Sequence, residues 1–266
     1  MGVVAVVGAG VMGEALLSGL LRGERMGDTY VVADKRQDRI VELHDRYGVD
    51  IASNVEAARE ADVLILVVKP QDIFGVVDQI AGELKPGVLV VSLAAGVTTA
   101  SLEARLPQGT SVIRVMPNTP ALVDQGMSAI SPGTHCLPEH MTMAVRLMSC
   151  VGKVVEVPES QQDAVTAISG SGPAYIFFTV EAMIEAGVGL GLPRRLATEL
   201  TLQTVYGAAT MLQETGEHPV VLRENVTSPA GTTAAALRVL EDHKVRAAFL
   251  AALEAARNRS VELAGG

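Results

Sequence analysis

A cluster of three glycines near the N-terminus constrains this chain more than any other feature. The string Gly8-Ala9-Gly10-Val11-Met12-Gly13 lies between a predicted strand, Val3–Val7, and a predicted helix, Met12–Arg22. In this context the first glycine permits a tight turn, the second lets the backbone approach a pyrophosphate, and the third lets helix and strand pack closely. The pyrophosphate would lie on the helix N-terminus. The string therefore predicts a dinucleotide-binding unit.

Short β-branched runs alternate with segments of helical period up to about residue 158, as in a parallel sheet wrapped by helices. We therefore predict a doubly wound, Rossmann-type α/β domain over residues 1–158. After Pro158 the strand signals stop, and we predict an all-α domain over residues 159–266. The predicted strands are Val3–Val7, Tyr30–Ala33, Val63–Val68, Val88–Leu93, Ser111–Val115, Ser128–Ser131 and Val154–Val157. The predicted helices include Gln37–Tyr47, Asn54–Glu60, Gln71–Leu84 and Thr232–Asp242.

Composition excludes several classes of protein. With 21 Lys and Arg against 30 Asp and Glu, the net charge is −9, which argues against a nucleic-acid partner. The N-terminus lacks the basic region of a signal peptide, and the apolar run Val63–Val68 is far shorter than the roughly 20 residues of a membrane span. Two cysteines, Cys136 and Cys150, have no metal-ligand spacing and are too few for a disulfide framework. We expect a cytoplasmic protein with no metal, membrane or nucleic-acid site.

The end of the second strand bears on cofactor choice. Asp34 lies 21 residues beyond Gly13, where a carboxylate bonds a ribose 2′-hydroxyl, and alone it would favour NAD. Lys35 and Arg36 follow directly, and two cations there could hold a 2′-phosphate instead. The sequence leaves NADPH and NADH both open.

Three further strings lie at successive strand ends, on the edge where open α/β sheets bind ligands. Small residues and a proline in Val68-Lys69-Pro70 and Ala94-Ala95-Gly96 let a cofactor approach the backbone closely. After the fifth strand, Pro117 and Pro120 stiffen a loop that would present the Asn118 amide toward the nicotinamide.

The second half contains a helix, Ala174–Ala186, that is apolar around most of its circumference. A surface helix does not tolerate this, so it either threads the centre of a bundle or packs against another subunit. Because 108 residues enclose a limited core, we favour an intertwined helical dimer.

A loop rich in Ser, Gly and Thr precedes a later helix in the string Thr227-Ser228-Pro229-Ala230-Gly231-Thr232-Thr233. Convergent N–H groups and hydroxyls at a helix N-terminus form an anion site sized for one carboxylate. No nucleophilic triad or pair of carboxylates stands out, and His218 is expected to be a structural turn residue. A nicotinamide would supply the chemistry, and the chain need only orient the reactants and donate one hydrogen bond.

Taken together, these strings resemble the pyrroline-5-carboxylate reductase family. The matching pieces are GAGVMG, VKPQ, SLAAG, RVMPNTPA, SGSGPAY, ETGEHP and VTSPAGTT, which run in this order from residue 8 to residue 233. The resemblance implies a Rossmann domain followed by an α-helical dimerisation domain, with dimers able to assemble further into a decamer. It implies hydride transfer from NADPH or NADH to the C=N carbon of 1-pyrroline-5-carboxylate, giving L-proline.

The resemblance also assigns roles to residues. The family's cofactor-binding positions correspond here to Gly8, Ala9, Gly10, Val11, Met12, Gly13, Asp34, Lys35, Asn54, Val68, Lys69, Pro70, Ala94, Ala95, Gly96 and Asn118. Its substrate carboxylate would lie on Ser228, Gly231, Thr232 and Thr233, with Thr233 as the catalytic hydroxyl that bonds the ring nitrogen. Ala230 departs from the family's usual glycine and would cost on the order of 1 kcal/mol at positive φ. Asp34 with Lys35 departs from its usual neutral-polar pair.

Two alternatives stay open. One is a reductase of another cyclic imine or of a β-hydroxyacid on the same plan. Hydroxyacid dehydrogenases of this plan use a lysine on a helix of the second domain, and Lys244 is the only lysine beyond Lys153. The other is a catalytically silent nucleotide-binding sensor, for which the carboxylate loop would have no use.

Overall fold

The computed structural model describes residues 2–23 and 29–264 of the chain. Two compact units are present, one formed by the residues up to Ser171 with the C-terminal segment from Ala256, the other by Gly172–Ala255. The first unit contains one eight-stranded sheet in the order β3-β2-β1-β4-β5-β6-β7-β8. Its strands are β1 Val3–Val7, β2 Thr29–Ala33, β3 Asp50–Ile51, β4 Ala61–Leu66, β5 Leu89–Ser92, β6 Ser111–Met116, β7 Gly126–Pro132 and β8 Gly152–Glu156.

Neighbouring strands are parallel throughout the sheet, except that β6 and β7 run antiparallel. The order reverses between β1 and β4, and a ligand crevice forms at such a point outside the carboxyl ends of the strands. The predicted doubly wound Rossmann-type fold is therefore confirmed. The sequence pattern did not predict β3, because a strand of two exposed residues at the sheet edge is too short to show alternation.

Helices cover both faces of this sheet. Side chains of β1 alternate between two buried clusters, with Val4 and Val6 in one and Ala5 and Val7 in the other. Burial on both faces explains why the strands read as continuous apolar runs. The helices of this unit before residue 172 are α1 Val11–Arg22, α2 Gln37–Tyr47, α3 Asn54–Glu60, α4 Ile73–Ile80, α5 Thr99–Glu103, α6 Pro138–Ser149 and α7 Gln162–Val165.

The turn from β1 to α1 depends on two glycines. Gly8 has φ +112°, and a Cβ there would lie 2.4 Å from the Val67 carbonyl oxygen. A Cβ on Gly13 would lie 2.0 Å from the carbonyl oxygen of Gly8. Since neither position has room for a side chain, these two glycines let α1 begin directly against the sheet.

The sequence did not predict the helical segment after β8, which consists of α7 and a π-helix. A turn of π-helix, Thr166–Gly170, follows α7 and is closed by the Ser171 N–H bonding the Thr166 carbonyl oxygen at 2.8 Å. The side chain of Ser260, in the C-terminal segment, donates to Asp163 Oδ1 at 2.6 Å. Both contacts belong to the first compact unit.

The remaining helices are α8 Gly172–Gly189, α9 Arg194–Thr215, α10 Pro219–Asn225, α11 Thr232–Asp242 and α12 Val245–Ala264. Within the described part of α8 no residue is buried, and Phe177 and Phe178 are 65% and 74% exposed. No helix in the described ranges has the length and apolarity to cross a membrane. The predicted domain boundary after residue 158 stays a prediction, and residues 1, 24–28, 265 and 266 of the two predicted domains lie outside the described residues.

We expect Gly13→Ala to lower the free energy of unfolding by about 1–3 kcal/mol, because its Cβ must displace the Gly8 carbonyl. Gly75→Ala is the control. A Cβ at this exposed position in α4 meets no atom within 4 Å, so the change should stabilise the helix by up to about 1 kcal/mol. Urea titration followed by circular dichroism measures both. Equal stability of the two variants would contradict the packing argument.

Candidate functional site

The N-terminus of α1 is open to a ligand. Gly10 is its N-cap residue and has no side chain to bond the first N–H groups of the helix. A Cβ on Gly10 would meet no protein atom within 4 Å, in contrast to Gly8 and Gly13. Exposed N–H groups at the positive end of a helix attract anions, and here nothing obstructs their approach.

A cavity of about 390 Å³ lies beside this helix end. The predicted cofactor residues that line it are Gly8, Gly10, Asp34, Lys35, Asn54, Val68 and Lys69. Its other lining residues are Val7, Arg36, Val67, Asp72 and Val76. Asp72 and Val76 were missed; they lie one helical turn apart at the start of α4, a spacing that places them on one face.

The charges around this cavity are mixed. Asp34 Oδ2 accepts the Ala9 N–H at 2.7 Å, and Oδ1 accepts the Arg36 N–H at 2.9 Å. Lys35 Nζ lies 3.3 Å from Asp72 Oδ2, but its side chain is 81% exposed. Arg36 Nε lies 3.5 Å from Asp34 Oδ1, and the Arg36 side chain is 52% exposed. Lys35 and Arg36 are thus each paired with one carboxylate, but their exposed side chains can also reach an anionic ligand.

The other predicted cofactor residues do not border this cavity in the part of the chain that the structure describes. The loop before α1 contains Ala9, and the first turn of α1 contains Val11, Met12 and Gly13. Pro70 begins a short 3₁₀ turn. Ala94, Ala95 and Gly96 follow β5, where Ala94 is buried. Since β4, β5 and β6 are parallel, these residues and Asn118 still lie at the same edge of the sheet.

Asn118 already has partners at both ends of its side-chain amide. Its Nδ2 donates to the Ser169 carbonyl oxygen at 3.1 Å, and its Oδ1 accepts the Met127 N–H at 2.8 Å. The amide thus joins the loop after β6 to the π-helix and to β7. Its predicted position near a nicotinamide stays a prediction, and the π-helix is itself a form that recurs at functional sites.

The second compact unit carries the predicted carboxylate loop. The Gly231 N–H donates to the Ser228 carbonyl oxygen at 3.0 Å, which closes a turn with Pro229 and Ala230 at its centre. Ala230 has φ +56°, the backbone conformation in which alanine is strained. Proline followed by a residue at positive φ is typical of a type II turn, and this explains why glycine suits position 230.

The helix that follows this turn also lacks a cap. Gly231 is the N-cap of α11, and no side chain bonds the first N–H groups. Among the described residues, no hydrogen bond engages the hydroxyls of Ser228, Thr232 or Thr233. Capping therefore does not account for these three hydroxyls, and the turn can offer them together with backbone N–H groups to one anion.

The other reactive side chains in question, Cys136, Cys150 and His218, have the environments of structural residues. Burial raises the pKa of the Cys150 thiol to about 11 and also raises that of Cys136, so both are protonated at neutral pH. As expected, His218 serves a turn, its Nδ1 accepting the Val220 N–H at the start of α10. Within the described ranges, no three His, Cys, Asp or Glu side chains are grouped to hold a metal ion.

Comparison with known families matches both halves of the chain. Residues 3–96 match the family described as NADP oxidoreductase coenzyme F420-dependent, and residues 159–263 match pyrroline-5-carboxylate reductase dimerisation. Together with the sheet and the glycine loop, these matches define a Rossmann-fold oxidoreductase with a helical dimerisation domain.

Full-length relatives are more specific. The chain is 48% identical to pyrroline-5-carboxylate reductase of Corynebacterium melassecola, with 99% of each chain covered. A solved pyrroline-5-carboxylate reductase from Coxiella burnetii has a TM-score of 0.91 at 38% identity, covering 98% of this chain and 97% of that one. The Plasmodium falciparum structure, with NADP bound, has a TM-score of 0.89 at 28% identity, covering 99% and 98%. The chain belongs to the pyrroline-5-carboxylate reductase family.

We expect Ala230→Gly to raise the free energy of unfolding by about 1 kcal/mol, because glycine adopts positive φ without the clash that alanine suffers. The matched control is Ala236→Gly in the interior of α11, which should lower it by about 1 kcal/mol. Thermal unfolding of both variants and of the wild type shows whether each change raises or lowers the stability. A loss of stability in Ala230→Gly would show that position 230 is not strained.

Proposed function

We propose that this chain reduces the C=N bond of 1-pyrroline-5-carboxylate to give L-proline, the last step of proline biosynthesis, with NADPH or NADH as reductant. Similarity to reductases of this name over the full length of the chain supports the reaction. The structural observation that carries the proposal is the uncapped N-terminus of α11, with the hydroxyls of Ser228, Thr232 and Thr233 beside it. A protein that only sensed a nucleotide would have no use for this second anion site.

The residues present fit a nicotinamide dinucleotide. Open space faces Gly10, the first N–H groups of α1 have no side-chain cap, and Lys35, Arg36 and Lys69 border the adjoining cavity. These groups would hold the phosphates by backbone donors and local cations. When bound, the dinucleotide supplies the hydride, which no side chain can provide.

The chain's own contribution to the reaction is then binding and orientation. Ser228, Gly231 and Thr232 hold the substrate carboxylate at the positive end of α11, and the Thr233 hydroxyl bonds the ring nitrogen. An imine nitrogen can be protonated before hydride attack, so a hydroxyl donor suffices and no strong acid is required. This agrees with the protonated thiols and the structural role of His218.

The match to a dimerisation family and the exposed apolar surface of α8 support self-association. The finer proposal is a homodimer, with dimers assembling further into a decamer. A cytoplasmic location is proposed with it, since Cys136 and Cys150 are free thiols and the pathway's chemistry needs a reduced nicotinamide pool.

We expect the purified wild type to oxidise NADPH or NADH only when 1-pyrroline-5-carboxylate is added. Thr233→Ala should lower kcat about 100-fold, because one hydrogen-bond donor to the reacting group is lost. Its Kd for the dinucleotide should change by less than about twofold, since cofactor contacts lie elsewhere. Absorbance at the reduced-nicotinamide band measures turnover, and fluorescence titration measures binding.

Thr233→Ser is the matched control, because it keeps the hydroxyl and should retain most of the activity. A wild type that binds dinucleotide but does not turn over this substrate would refute the proposed reaction. A Thr233→Ala variant as active as the wild type would refute only the role given to its hydroxyl.

Cofactor preference can be tested at Lys35. If its exposed ammonium contacts a 2′-phosphate, Lys35→Ala should raise KM for NADPH about fivefold and leave KM for NADH within about twofold. Lys153→Ala, which removes an exposed lysine outside the cavity, should affect neither. Equal effects of Lys35→Ala on the two cofactors would contradict a phosphate contact.

A further inference from the structure

In the glycine loop, both the backbone N–H and the carbonyl oxygen of Ala9 form hydrogen bonds with side chains. Its N–H donates to Asp34 Oδ2 at 2.7 Å. Its carbonyl oxygen accepts Arg39 Nε at 3.0 Å and, more weakly, Arg36 Nη2 at 3.4 Å. All three partners come from the segment that ends β2 and begins α2, so this segment determines the orientation of the loop.

The orientation of the Ala9 carbonyl determines that of the next N–H. In a trans peptide the carbonyl and the following N–H point to opposite sides, and every described peptide bond is trans. With the Ala9 oxygen held toward Arg39, the Gly10 N–H points away from Arg39. Gly10 borders the dinucleotide cavity, whereas Arg39 is not among the described residues that line it.

Glycine at position 10 makes this restraint necessary. Because Gly10 has no Cβ, its own φ and ψ restrict the Ala9–Gly10 peptide less than those of any other residue would. A rotated peptide would present a carbonyl oxygen where a phosphate needs a donor. The hydrogen bond from Arg39 opposes that rotation before any ligand arrives.

Arg39 is itself firmly held. Its guanidinium bonds the carboxylates of Glu14 in α1 and Glu42 in α2, and its side chain is only 16% exposed. Glu14 also accepts hydrogen bonds from Arg46 and Tyr47. Burial raises the pKa of Glu14, but its hydrogen bonds to Arg39 and Tyr47 and the positive charges of Arg39 and Arg46 together lower it overall, so the carboxylate stays charged at neutral pH.

We propose that Arg39 is a positioning residue for the dinucleotide: it stands outside the cavity, holds the Ala9 carbonyl, and thereby presets the Gly10 N–H as a phosphate donor. The proposal rests on the proposed function, because it takes the anion at α1 to be the pyrophosphate of that cofactor. It separates cofactor affinity from the chemical step, since the hydrogen bonds of Arg39 go to the glycine loop, α1 and α2.

The experiment compares Arg39→Gln with Arg46→Gln. Both arginines pair with Glu14 and Glu42, and both variants lose one positive charge, but only Arg39 bonds the Ala9 carbonyl. We expect Arg39→Gln to raise Kd and KM for NADPH and for NADH about tenfold, with kcat at saturating cofactor within about twofold of the wild type. Arg46→Gln should leave all of these within about twofold.

Fluorescence titration with NADPH and NADH alone gives Kd, steady-state kinetics give the remaining constants, and thermal melting reports folding. Should Arg39→Gln not fold, Arg39→Met keeps the aliphatic stem and carries the same expectation. Unchanged binding in the Arg39 variant, or an equal loss in Arg46→Gln, would overturn the positioning role. A wild type that binds neither dinucleotide would instead refute the proposed function, and the Arg39 proposal with it.

Discussion

The contact between Gly13 and the carbonyl oxygen of Gly8 governs the geometry of the first compact unit. With no Cβ at position 13, α1 begins directly against β1 instead of being pushed away from the sheet. Its uncapped N-terminus therefore lies at the carboxyl edge, beside the residues that follow β4. The backbone donors beside the cavity depend on this close approach, and Lys35, Arg36 and Lys69 add local cations to the lining.

An overall acidic chain can recognise anions without a basic surface. The net charge is −9, yet both proposed anion sites use helix N-termini without side-chain caps. Backbone N–H groups carry no net charge and lose little entropy when they bind a ligand, because the helix has already ordered them. At the first site, hydrogen bonds from Ala9 and Arg36 also balance the Asp34 carboxylate, so one acid beside the cavity does not exclude a phosphate.

Local signals predicted many elements correctly. Helices α2, α3 and α11 have the predicted bounds, and at α3 the Ser53 side chain and Glu56 form a capping box that is visible in sequence. Predictions failed where local rules do not decide. Where one helix was predicted at Gln71–Leu84, the structure has the shorter α4 with a 3₁₀ turn on each side. The π-helix at Thr166–Gly170 has no sequence period by which it could be predicted.

Sequence alone determined the Rossmann-type fold, the likeness to one reductase family, and the residue types that we propose to meet a nucleotide and a carboxylate. These depend on spacing and composition over short stretches, which a linear pattern records. Only the tertiary structure decided that Asn118 has partners at both ends of its amide, that Ala230 has positive φ, and that Arg39 holds the Ala9 carbonyl. The Arg39 and Asn118 contacts join residues far apart in sequence, and hydrogen-bond geometry exists only once the fold has brought them within about 3 Å.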